Sequence, residues 1–209
     1  MHLENSELKM TTRYEVARWV SAIIHPIAFP LVVLGIAIYT ASSSLSTTLD
    51  DLALAIVLTT LPIALLVGIQ VLRHKWTDLD VSVRRQRYLL YPFGIACMAL
   101  LAFVYTHINA PPVATRSAIA LVLANVVNGL INFTYKVSAH ATGAAASATL
   151  LWLAVPYISL AVIATIAALL VGWSRVVLKR HTPGQVLLGW TVGVATMAFA
   201  LLMPLPAFL

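Results

Sequence analysis

Apolar residues in this chain gather into long runs, each about the roughly 20 residues of a spanning helix, with short polar connections between them. The first run covers Trp19 to Ala41 and carries Pro26 and Pro30, which predict kinks. A Ser/Thr-rich turn ending in Asp50-Asp51 separates it from a second run, Leu52 to Leu72. The third runs from Tyr88 to Tyr105 and closes before His107 and a Pro111-Pro112 turn; the fourth covers Ser117 to Tyr135. A stretch of small residues, Ser138 to Ser147, opens the fifth, which ends at Val155 before Pro156. Small side chains let helix backbones approach closely in lipid. The sixth run covers Tyr157 to Val177 and the last Gly184 to Met203, with Pro183 suited to a first helical turn. The pattern predicts an all-α polytopic membrane helix bundle of six to seven transmembrane helices, one integral membrane domain over residues 1–209 with a polar arm at 1–17.

Composition narrows the class. Hydrophobic residues make up 61% of the 209 and charged residues 10%, against about 25% charged in soluble domains. No separate soluble domain is expected. The single cysteine, Cys97, lies inside an apolar run, so no disulfide framework exists. The first residues are polar and mixed in charge, and they read as no cleavable signal. The formal net charge of +6 is concentrated at span ends, which points to the bilayer and not to nucleic acid.

Three polar islands interrupt the apolar background. Arg84, Arg85 and Arg87 lie between Trp76 and Tyr88; Lys136, Ser138 and His140 form the second; Ser174, Arg175 and His181 form the third. Two spans separate each island from the next, so all three emerge on one face of the membrane. Charges placed between apolar runs are costly unless used. Arginine binds phosphate bidentately and keeps its charge near lipid. Histidine attacks or transfers protons when its second ring nitrogen is oriented, and a helix beginning near Ser138 adds free N–H groups for an anion. No Asp/Glu cluster or His pair with ligand spacing accompanies the islands, so neither metal nor other cofactor is expected. Of the 13 Lys and Arg residues, all but Arg116 fall on the island face. With Arg84, Arg85, Arg87, Lys136 and Arg175 set aside as ligands, seven still oppose one, and the positive-inside rule places that face in the cytoplasm. The plasma membrane is the expected location.

The islands resemble the three signature motifs of the type-2 phosphatidic acid phosphatase superfamily, which shares its helical core with vanadium haloperoxidases. The third motif, S-R-x5-H-x3-D, is met by Ser174-Arg175, His181 and, in the last place, Gln185. The second, P-S-G-H, is met by Val137-Ser138-Ala139-His140; the first, K-x6-R-P, only loosely by Arg84-Arg85-Gln86-Arg87 followed by Pro92. The resemblance covers a phosphatase-like core at residues 73–203. It implies a vanadium haloperoxidase-like fold in which His181 attacks phosphorus, His140 protonates the departing alkoxide, and Arg175 and Ser138 hold phosphate oxygens. Arg84 and Arg87 are the candidates for the remaining phosphate ligands. Lys136 lies outside the signature and can supply the cation that the loose first motif lacks.

The implied activity is metal-independent hydrolysis of a phosphomonoester or diphosphate of a lipid through a phosphohistidine. Its candidate substrates are phosphatidic acid, phosphatidylglycerol phosphate, prenyl or polyprenyl phosphates and phosphoglycolipids. Gln185 stands where the family has an Asp that accepts the histidine N–H. An amide can orient the ring but stabilises a developing imidazolium less, and Asp78 and Asp80 are the nearby carboxylates that could compensate. The alternative is a catalytically silent lipid-phosphate binder or a transporter. Lys179, Arg180, Arg73 and Lys75 read as headgroup anchors, and no chemistry falls to His2, His25, His74 or His107. Asn125, Asn128 and Asn132 form a stripe that reads as interhelical hydrogen bonding before it reads as a polar lining.

Overall fold

The computed structural model describes residues 2–204, with side chains from Thr11 onward; the side chains of His2 and Lys9 lie outside the described residues. Helix α1 (His2–Ile23) includes the polar arm, and α2 (Ala28–Ser42) continues it after a bend of 44°. Pro26 sits at the break, where its missing N–H ends the ladder. Pro30 causes no kink, because it falls in the first turn of α2, where no intrahelical donor is needed.

The next helical stretch starts at Leu45, ahead of the expected Leu52, because Ser44 caps it by accepting the Thr47 N–H at 3.2 Å. It comprises α3 (Leu45–Ala55), a π turn (Ile56–Thr60) and α4 (Leu61–Leu72). Pro62 can neither donate to the ladder nor tolerate a close carbonyl one turn back, and the widened turn just before it absorbs both. The chain continues with α5 (Arg87–His107), α6 (Pro112–Asn132), α7 (Ala139–Ala154), α8 (Ile158–Val177) and α9 (Pro183–Leu202), and no strand occurs among the described residues.

Among the described residues five helical stretches are long and apolar enough to cross a bilayer, and the bent α1–α2 pair makes a sixth. The fifth run of the sequence, α7, differs from a lipid-facing span. Its 16 residues rise only about 24 Å, and they are wrapped by α2, α8 and α9. Gly189 of α9 permits this: a Cβ there would come within 2.6 Å of the Ser138 carbonyl. Gly193, one turn on, faces the Thr142 carbonyl in the same way. The small residues of α7 thus form the centre of the bundle, with its amino end held against the start of α9.

The α4–α5, α6–α7 and α8–α9 connections meet at one end. Arg87 Nη1 donates to the Val137 carbonyl at 2.9 Å, Lys136 Nζ to the Arg180 carbonyl at 2.8 Å, and Arg180 Nη1 to Ser82 Oγ at 3.1 Å. At the opposite end Arg116 donates to the Leu201 and Met203 carbonyls that close α9, a placement the helix dipole favours.

Candidate active site

Arg175 lies in the last turn of α8. Beyond it Lys179 adopts a left-handed φ of 54°, and the N–H groups of Arg180 and His181 both donate to the Arg175 carbonyl, at 3.0 and 3.2 Å. This reversal folds His181 back over Arg175, so the five-residue spacing is a helix end plus its cap. Thr182 then caps α9 and Pro183 starts it, with Gln185 completing a capping box.

The capping box fixes the chemistry of His181. Gln185 Oε1 accepts the Thr182 N–H at 3.3 Å, which identifies it as the carbonyl oxygen. The same oxygen lies 3.0 Å from His181 Nδ1, so Nδ1 carries the proton and Nε2 the free lone pair. Burial, then the charges of Lys136 and Arg87, push the His181 pKa down to about 3. The ring is neutral at neutral pH.

Cations surround this ring. Arg175 is 2% exposed; its Nη1 donates to Ser21 Oγ at 3.1 Å and its Nη2 to Asp80 Oδ2 at 2.7 Å, while Nε has no partner. Arg87 is also buried and donates through Nε to the Val81 carbonyl at 2.8 Å. Lys136 is half-buried; burial, then Arg87 and Arg175, lower its pKa. Ser138, fully buried, caps α7 by accepting the Ala141 N–H at 3.3 Å, and its own N–H donates to the Gln185 carbonyl at 3.2 Å. His140 follows in the first turn of α7, with Nε2 3.7 Å from Asp80 Oδ1.

Asp80 therefore bridges Arg175 and His140. Burial alone would raise its pKa, but Arg175 and His140 outweigh it and leave the carboxyl below its ordinary value. It does not replace the missing carboxylate at His181. Its neighbour Val81 is held at a φ of 48°, an outlier for a β-branched residue. Asp78 is tied to Ser82, accepting its N–H at 3.2 Å and its hydroxyl at 3.0 Å.

Of the sequence candidates, His181, Gln185, Arg175, Ser138, His140, Lys136 and Arg87 come together. Arg84 stands at the rim, where its Nη1 donates to the Phe133 carbonyl at 2.9 Å. Arg180 is not a free headgroup anchor, since it fastens the α8–α9 turn to Ser82, with Asp78 at 3.8 Å. Ser21 was invisible to sequence reasoning; Asp80 was marked only as a nearby carboxylate. Beneath the site a cavity of about 470 Å³ extends among α2, α4, α5, α6 and α7. Asp80, Arg87 and His140 line its site end; of the asparagine stripe, Asn125 and Asn128 line its wall while also bonding to Met98 and Thr142, whereas Asn132 only donates to the Arg84 carbonyl, at 3.2 Å.

Comparison with protein families matches residues 93–208 to the PAP2 superfamily, more than half of the chain. The chain belongs to the PAP2 superfamily. The matched span contains Ser138, His140, Arg175 and His181, whereas the loop bearing Asp80, Arg84 and Arg87 precedes it. Comparison with curated proteins and with solved structures finds no match. Membership in the PAP2 superfamily gives this bundle of membrane helices a phosphatase-type function toward lipid phosphates.

Proposed function

We propose that this PAP2 protein is a metal-independent lipid phosphatase that works through a phosphohistidine on His181, on a helical core of the vanadium haloperoxidase type. One observation carries the reading: a neutral imidazole with Nε2 bare sits among Lys136, Arg87 and Arg175. A developing phosphoryl transition state spreads negative charge over three oxygens, and preorganised cations stabilise it.

The lipid phosphate enters from the bilayer with its tail in the cavity and its phosphate against Arg175, Ser138 Oγ and the free N–H groups of α7. Nε2 of His181 attacks phosphorus as the bond to the lipid oxygen breaks. The leaving alkoxide takes a proton from His140, which lines the cavity where that oxygen would lie. The dianion bound beside His140 favours its imidazolium. Water, giving its proton back to His140, then cleaves the N–P bond and releases phosphate. Arg87 and Lys136 supply the field, and Arg84 guides the headgroup at the rim. The site faces the cytoplasm of the plasma membrane, supported by the basic excess on the island face and by the helix-capping role of Arg116.

The test is free phosphate released from a panel of phosphatidate, phosphatidylglycerol phosphate, prenyl phosphates and phosphoglycolipids. Wild type should release phosphate from at least one, and His181→Ala should abolish it. Equal slow release by both proteins refutes catalysis at this site and leaves a lipid-phosphate binder.

A further inference from the structure

Among the described residues three cavity-lining side chains carry a buried polar atom without a partner: Ser117 deep in the bundle, and Tyr91 and Asn128 near the site end. Tyr91 is 5% exposed and its hydroxyl, which faces the Arg87 guanidinium, finds no acceptor among the described residues; Asn128 is 3% exposed and its Oδ1 is bare. The amide orientation is fixed: the Thr142 hydroxyl donates to the Ser138 carbonyl at 3.1 Å, so Asn128 must present Nδ2 to Thr142 Oγ1, at 3.2 Å, and Oδ1 elsewhere. A buried polar atom left unpaired costs more than a made hydrogen bond gains. These two atoms are therefore suited to a ligand that brings its own donor and acceptor.

Their level in the bundle says which part of the ligand. Tyr91 follows Arg87 by one turn on α5. Asn128 precedes Asn132 by one turn on α6 and meets Thr142, one turn after Ser138 on α7. Counted along the backbone, both residues lie about 6 Å beneath the phosphate-binding level, four residues at helical rise, with the Tyr91 hydroxyl tilted back toward Arg87. Gly129 leaves room for the Tyr91 ring, whose Cβ a side chain there would approach to 3.3 Å, and so sets the two groups side by side. Deeper, the walls are mainly apolar, with Leu101, Ala118 and Leu150. The volume of about 470 Å³ lies in the range of a single small-ligand site, about 300–1,000 Å³, which suits one hydrocarbon chain.

Resting on the phosphatase reading, we infer that Tyr91 and Asn128 select a single-chain lipid phosphate whose first carbons bear an ester carbonyl and a hydroxyl, an acylglycerol phosphate, over an isoprenyl phosphate. Tyr91 donates to the ester carbonyl and Asn128 Oδ1 accepts from the hydroxyl. The isoprenoid offers only hydrocarbon at that level and leaves both groups unpaired.

The test compares 1-oleoyl-glycerol 3-phosphate with geranylgeranyl phosphate on the full chain in detergent, by kcat/KM and by thermal stabilisation. Wild type should prefer the acylglycerol phosphate by at least tenfold. Tyr91→Phe and Asn128→Leu should each cut that preference about tenfold, mainly through KM, the size of one buried hydrogen bond. A wild type that prefers the isoprenyl phosphate, or variants that lower both substrates by one common factor, would overturn the inference. If wild type turns over no lipid phosphate, the phosphatase reading fails separately. The inference is then decided by binding: greater stabilisation by the acylglycerol phosphate, diminished in both variants, upholds it, and equal stabilisation by the two lipids sinks it.

Discussion

In the proposed mechanism His181 attacks only while one ring nitrogen is bare, and Gln185 decides which. Its carbonyl accepts the Nδ1–H hydrogen bond and leaves Nε2 open, but an uncharged oxygen would do little for the imidazolium that attack would form. Gln185→Asp should raise the His181 pKa from about 3, because a carboxylate favours the protonated ring. The acid limb of kcat/KM should then move to higher pH, with activity up at pH 8 and down at pH 5 relative to wild type. A pH–rate profile identical to that of wild type would show that His181 does not titrate in catalysis. The departure at Gln185 is legible in the sequence, and so is the spacing of Arg175 and His181, because both depend on local cap geometry. The second use of the Gln185 oxygen, on the Thr182 N–H, emerges only once the capping box is seen. Ser21 had no signal at all, since its partner Arg175 is 154 residues away.

The loop between α4 and α5 shows the same limit at the scale of an element. Its arginines drew attention, yet its most consequential member is the carboxylate of Asp80, seated on a guanidinium 95 residues distant. The left-handed Val81 beside it is strained and is held by Arg87 on its carbonyl. Asp80 occupies Arg175 where an incoming anion would, and its charge opposes that anion. Asp80→Asn should therefore tighten inhibition by vanadate about tenfold, measured as Ki; weaker inhibition would mean that Asp80 organises the site for the anion. Elsewhere, elements followed the hydropathy pattern where breakers are local, as at Pro26 and Pro156. The pattern missed where polar residues still propagate a helix: Ser44 caps, and the Ser/Thr-rich turn after it is helical from Leu45.

At the scale of the whole molecule, the counting of spans brought the islands to one end even though the individual spans are unequal. The helix α7 is short because its neighbours, not lipid, surround it, and α-helical polarity alone does not tell a buried helix from a spanning one. Its antiparallel pairing with α8, which ends at the site, and its parallel pairing with α9, which starts there, set His140, Arg175 and His181 against each other. The proposed orientation is checked by Arg85→Cys in a Cys97→Ala background, Arg85 being exposed: an impermeant thiol reagent should leave intact cells unlabelled and label opened ones. Labelling of intact cells would turn the site to the outside. The bond that matters most is between His181 Nε2 and phosphorus. Rapid quenching during turnover of a lipid carrying radioactive phosphate should trap an acid-labile, alkali-stable label on His181, absent from His181→Ala. Turnover with no trapped label at any time, or a label that survives His181→Ala, would contradict it.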